Sequence, residues 1–106
     1  MADNRTEQQE VARFGGKPQK NSGRGHHKGD ATLGPFLVDV KEYEKSFGLS
    51  RTMWGKISTD AIRKERRIPA LNVVLGEKSP LRLWVVEEKM FFEMLQAWEE
   101  KYESQV

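Results

Sequence analysis

The chain has 106 residues, 37% of them hydrophobic and 32% charged, which gives room for one domain around one modest core. It contains no cysteine, so disulfides and thiolate metal sites are excluded. No apolar run approaches a membrane span and no secretory pattern opens the chain, so a cytoplasmic protein without membrane contact is expected.

Residues 1–5 are polar and expected to fray. Residues 6–14 read as a short helix, with Val11 and Phe14 inward and Gly15-Gly16 as its stop. Glu7 lies one turn before Val11 on that inward side. A carboxylate facing inward is costly unless it binds something, which makes Glu7 a candidate ligand. Glu10 is the second choice, and an ordinary exposed helix charge is the remaining reading of either. Lys17 to Lys20 reads as a short strand. Residues 21–28 read as a mobile basic loop of Gly, Lys, Arg, Asn, Ser and His. Neighbours on an extended segment face opposite ways, so His26-His27 reads as contact or solvated surface rather than a metal pair.

A hairpin follows, its two strands punctuated by Gly34-Pro35. Phe36 to Tyr43 alternates with period two, placing Phe36, Val38 and Val40 on one face and Leu37, Asp39 and Lys41 on the other. Asp30, at the start of the first strand, lies across the hairpin from them. Two acids and a lysine so gathered fit a Mg²⁺ site beside a charged donor, since hard carboxylate oxygens suit that ion. Solvated polar residues on a strand face are the bland alternative.

Leu49-Ser50 opens a second helix, with Ser50 as N-cap and Leu49 packing on Trp54. Met53, Trp54, Ile57, Ala61 and Ile62 recur at helical spacing and read as its core side. Ala70 to Leu75, apolar except for Asn72, reads as a strand covered on both faces. Leu81 to Val86 forms another strand. Glu88 to about Glu103 forms a final helix whose stripe of Met90, Phe91, Met94, Leu95, Trp98 and Tyr102 reads as core, with part of it available to a second subunit.

The net charge of +2 says little, but its distribution says more. Arg13, Lys17, Lys20, Arg24 and Lys28 form a stretch with no acid. A second basic stretch runs from Arg51 to Arg67, and Lys56 within it is positioned to reach DNA backbone. Glu87 to Glu103 instead holds six glutamates against two lysines. This asymmetry suggests one face for a polyanion and an acidic helix turned away from it.

Gly29-Asp30 followed by Asp39-Val40-Lys41 on an apolar strand resembles the PD-(D/E)xK nuclease core, most closely that of small archaeal-type Holliday junction resolvases and their phage relatives. Glu7 to Gly16 resembles the opening helix of that family. Asn21-Ser22-Gly23 resembles its Ser-Gly loop. Trp54 to Ile57, Ala61 and Ile68-Pro69-Ala70 resemble the helix and strand that follow. Asp39 stands where Glu is more usual, and its distance in sequence from Asp30 is short.

The resemblance implies an α/β, restriction-endonuclease-like core in a single domain spanning residues 1–106, with a central mixed sheet of about five strands flanked by helices. It further implies Mg²⁺, with Mn²⁺ able to substitute, held by Asp30, Asp39, Glu7 and the Val40 carbonyl. Lys41 would orient water and Ser22 would contact phosphate. The implied activity is endonucleolytic cutting of branched DNA, chiefly four-way junctions, by a homodimer acting in recombination or repair. A phage-encoded enzyme working in the host cytoplasm fits this description. Alternatives are a less selective repair or replication endonuclease of the same fold, a catalytically silent DNA-binding module, and a protein-interaction domain using the last helix.

Overall fold

The computed structural model describes residues 4–18 and 30–103, with the side chains of residues 4–8, 30 and 64 left aside. Within them a helix α1 (Asn4–Phe14) precedes three strands, β1 (Lys17–Pro18), β2 (Asp30–Leu33) and β3 (Phe36–Tyr43). Helix α2 (Arg51–Thr59) then runs into a π-helical turn, Asp60–Lys64. Strands β4 (Ile68–Leu75) and β5 (Leu81–Val85) and helix α3 (Glu88–Glu103) complete a small α/β domain. No helix of the described residues is long and apolar enough to cross a membrane.

The five strands form one mixed sheet in sequence order. β1, β2 and β3 are antiparallel neighbours, β3 and β4 are parallel, and β5 returns antiparallel to β4. The parallel pair requires a crossover, and α2 supplies it. The hairpin loop is two residues long, with Leu33 paired to Phe36. Gly34 takes φ 55 there, the left-handed backbone that tight hairpin loops demand and glycine tolerates best.

Each face of the sheet has its own apolar layer. On one, Val11 of α1 packs with Ala31, Val38, Val40 and Ala70, all at most 1% exposed. α1 stops at Gly15, where φ is 82 and the amides of Gly15 and Gly16 cap the carbonyls of Ala12 and Val11 at 3.2 and 3.0 Å. A Cβ at Gly16 would meet the Phe14 ring at 2.5 Å, so glycine there lets the chain turn tightly beneath the helix. On the other face, Ile57 packs with Leu71 and Val73, and Met53, Trp54 and Val85 close around them.

The N-cap appears as read: the Ser50 hydroxyl accepts from the Met53 amide at 3.1 Å. Leu49 stays 42% exposed rather than buried under Trp54. Three further expectations are corrected. β4 begins at Ile68, not Ala70, and includes Pro69. Proline is tolerated because β5 pairs only Leu71 to Leu75, so β4 has a single neighbour at that point. Ile62 is 57% exposed although Ala61 is fully buried. The π-helical turn is wider than an α-turn and carries Ile62 out of the inward stripe. Lastly, none of the α3 stripe is buried.

Candidate functional site

Antiparallel register places Asp30 directly opposite Asp39, one pair beyond Ala31 and Val38. Local alternation then sets Lys41 on the Asp39 side of β3, and its Nζ lies 3.6 Å from Asp39 Oδ2. Both side chains are partly exposed, 23% for Asp39 and 30% for Lys41. Their neighbours in the parallel register, Leu71 and Val73, lie beneath α2. Thus α2 covers the β4 and β5 part of this face and leaves the polar residues of β3 at its edge.

Val40 lies between the two, with its side chain 1% exposed in the α1 layer. The described part of β2 ends opposite Asp39, so from Val40 onward β3 has β4 as its described neighbour. Glu7 belongs to α1, one turn before the buried Val11. The side chains of Glu7 and Asp30 lie outside the described residues, as do Lys20, Ser22, Arg24, His26, His27 and Lys28. Among the described residues no cluster of three metal-ligating side chains occurs.

Glu10, the second choice for the additional acid, is bound elsewhere. Its Oε1 accepts from Arg13 Nε at 2.8 Å and Arg82 Nε at 3.0 Å, and its Oε2 accepts from an Arg82 terminal nitrogen at 3.1 Å. Burial pushes the Glu10 carboxyl up, but the hydrogen bonds and charges of Arg82 and Arg13 outweigh it and hold the group below its usual range. Hydrogen bonding to Glu10 correspondingly raises the pKa of Arg82. This cluster ties α1 to β5. A carboxylate already holding two arginines is a poor ligand for an incoming cation. Sequence reading missed Arg82, whose only signal was a charge inside the apolar run of β5.

The expected basic residues divide. Arg13 is engaged with Glu10, and Lys17 is exposed on β1. Lys56 is exposed on α2, in an open depression of about 470 Å³ shared with Thr52, Gly55, Thr59 and Asp60. Arg67 donates to the Gly34 carbonyl at 2.8 Å and braces the hairpin turn.

Asp39 offers hard oxygen donors beside the Lys41 cation, and the ladder sets the backbone of a second acidic residue, Asp30, opposite it. That donor set suits a divalent metal and a phosphate. Comparison with known proteins finds no matching family model, no matching curated protein and no matching solved structure.

Proposed function

We propose that the protein is a Mg²⁺-dependent endonuclease with a PD-(D/E)xK-type site, acting on branched DNA and most specifically on four-way junctions. The observation that carries this reading is the pairing of Asp30 with Asp39 in the β2–β3 ladder, with Lys41 3.6 Å from Asp39. The chain order supports it as well: a helix, an antiparallel meander, a crossover helix and a strand parallel to β3 set Asp30, Asp39 and Lys41 in sequence where the described β2–β3 ladder ends, in the middle of the sheet.

Asp30 and Asp39, with Glu7 and the Val40 carbonyl, would hold Mg²⁺ or Mn²⁺. Such an ion, when bound, polarises a phosphoryl oxygen and lowers the pKa of a coordinated water. Lys41, tethered near Asp39, orients the attacking water and offsets negative charge gathering on the phosphate. The partial exposure of both side chains leaves DNA backbone room to approach. Lys17 and Lys56 contribute phosphate contacts that fix position without reading sequence.

The test is cleavage of an end-labelled four-way junction beside linear duplex and flap DNA, with and without Mg²⁺. Paired, symmetric, metal-dependent nicks in the junction alone are expected. Equal cutting of all substrates would remove junction selectivity. Tight binding with no cutting under Mg²⁺ or Mn²⁺ would replace the enzyme with a silent DNA-binding module.

A further inference from the structure

Helix α3 carries an apolar stripe that its own domain does not bury. Trp54 Nε1 donates to Glu87 at 2.7 Å and Met90 is half-buried, which holds the start of the helix against the domain. Beyond Met90 every residue to Glu103 is exposed, and no residue of α3 belongs to either apolar layer of the sheet. Phe91, Phe92, Met94, Leu95, Trp98 and Tyr102 are each 37–58% exposed. An isolated helix of 16 residues is marginal in water, and its stability normally comes from packing such a stripe.

The charges beside that stripe are mostly acidic. Residues three and four apart are neighbours on a helix surface, so Glu88 adjoins Phe91 and Phe92, and Glu99 adjoins Leu95 and Tyr102. Glu103 extends the row from Glu99. Gln96 donates to Glu100 at 3.4 Å, whereas the side chains of Glu88, Glu93, Glu99 and Glu103 make no hydrogen bond or ion pair among the described residues. We propose that this face docks a basic amphipathic helix of another protein. The partner's apolar side chains cover the stripe, and its lysines and arginines meet Glu88, Glu99 and Glu103.

Sign, area and continuity select that occupant. Like charges across an interface are costly, so the same glutamates disfavour nucleic acid, anionic lipid and the α3 of a second copy alike. Six half-exposed side chains of this size amount to on the order of 600 Å² of apolar surface. That is less than the roughly 800 Å² per partner of a standard interface, and it suits a single helix. The stripe continues at Met90 into a groove of about 320 Å³, where Ile62, Ile68 and Pro69 complete the apolar lining. Glu87 and Glu93 stand there beside Arg67 and Lys89, so the groove adds apolar contact and little net charge. Met90 and Met94, unbranched and polarisable, adapt to a partner's side chains. The surface includes neither Asp39 nor Lys41, so the inference holds whether or not the protein cuts DNA.

Calorimetric titration of the full chain with a synthetic Leu/Lys peptide of about five helical turns, roughly 18 residues, tests the proposal. The peptide carries leucine at i, i+3, i+4 and i+7. A Leu/Glu peptide of the same pattern and a Leu/Lys peptide of scrambled order are the controls. The chain's net charge of +2 gives no general attraction for a cation, so binding reads the local acidic face. Affinity about tenfold above either control is expected. Trp98→Asp and a Glu99→Lys/Glu103→Lys variant should each weaken it about tenfold, whereas Leu49→Asp should not. The charge-reversed variant should take up the Leu/Glu peptide instead. Trp98 is 58% exposed, and a retained cooperative thermal transition verifies that each variant stays folded. Equal affinity for all three peptides, or affinity indifferent to Trp98→Asp, would overturn the proposal. So would sedimentation of a wild-type dimer that Trp98→Asp dissociates, since a second copy would then hold the face.

Discussion

Glu10 on α1 and Arg82 on β5 meet through two hydrogen bonds, of 3.0 and 3.1 Å, across 72 positions of sequence. The pair fastens the first helix to the sheet edge farthest from β1. It also makes stability depend on pH in a calculable direction. The folded state holds the Glu10 carboxyl below its usual range, so folding disfavours its protonation. The stabilisation is therefore complete above the ordinary glutamate pKa of about 4.3 and is lost as pH falls through the depressed folded value. Glu10→Gln should cost about 1–3 kcal/mol at pH 7, with the difference from wild type shrinking in acid. Urea unfolding at pH 7 and pH 3 measures this. A difference independent of pH would show that the carboxylate charge contributes nothing.

Asp39→Asn and Lys41→Ala should separate chemistry from binding. Neither side chain lies in an apolar layer, so both variants should fold. Loss of a group that orients or activates water typically costs about 10²–10⁴-fold in rate. Single-turnover cleavage should fall by that order while junction affinity changes little. Undiminished cutting in either variant would refute the site.

Binding should be strongly salt-dependent. A plot of log affinity against log salt concentration gives the number of phosphates engaged, and Lys56→Gln should reduce its slope by roughly one phosphate's share, about 0.9. The reduction should be similar for junction and duplex, because a phosphate contact carries no sequence information. A slope unchanged by Lys56→Gln would take α2 out of the interface.

The sheet's central layer should dominate stability. Leu71 is completely buried between β3 and β5, beneath α2, and Leu71→Ala should cost about 2–5 kcal/mol. Leu49→Ala, at an exposed position, should stay within about 0.5 kcal/mol. Ser50→Ala should fall between them at about 1 kcal/mol, the usual value of an N-cap. Equilibrium denaturation of the three variants establishes the order.

What the sequence determined by itself was local. Period-two alternation put Asp39 and Lys41 on one strand face, and Gly34-Pro35 located the hairpin. A serine before an apolar helical repeat marked the start of α2. These features depend on neighbours within a few residues, where backbone geometry leaves few choices. The basic stretch before Asp30 was legible only as composition, and most of it lies outside the described residues. Tertiary structure alone decided the rest. That Glu10 binds Arg82, rather than standing ready for a metal, follows from how α1 lies across a sheet whose last strand supplies Arg82 from 72 positions away. Ile62 left the core because the helix widened by a π-turn before reaching β4. The stripe on α3 has the same pattern whether its cover is the domain's own sheet or another chain. A helical repeat records that a face must be buried; only the fold determines what lies against it.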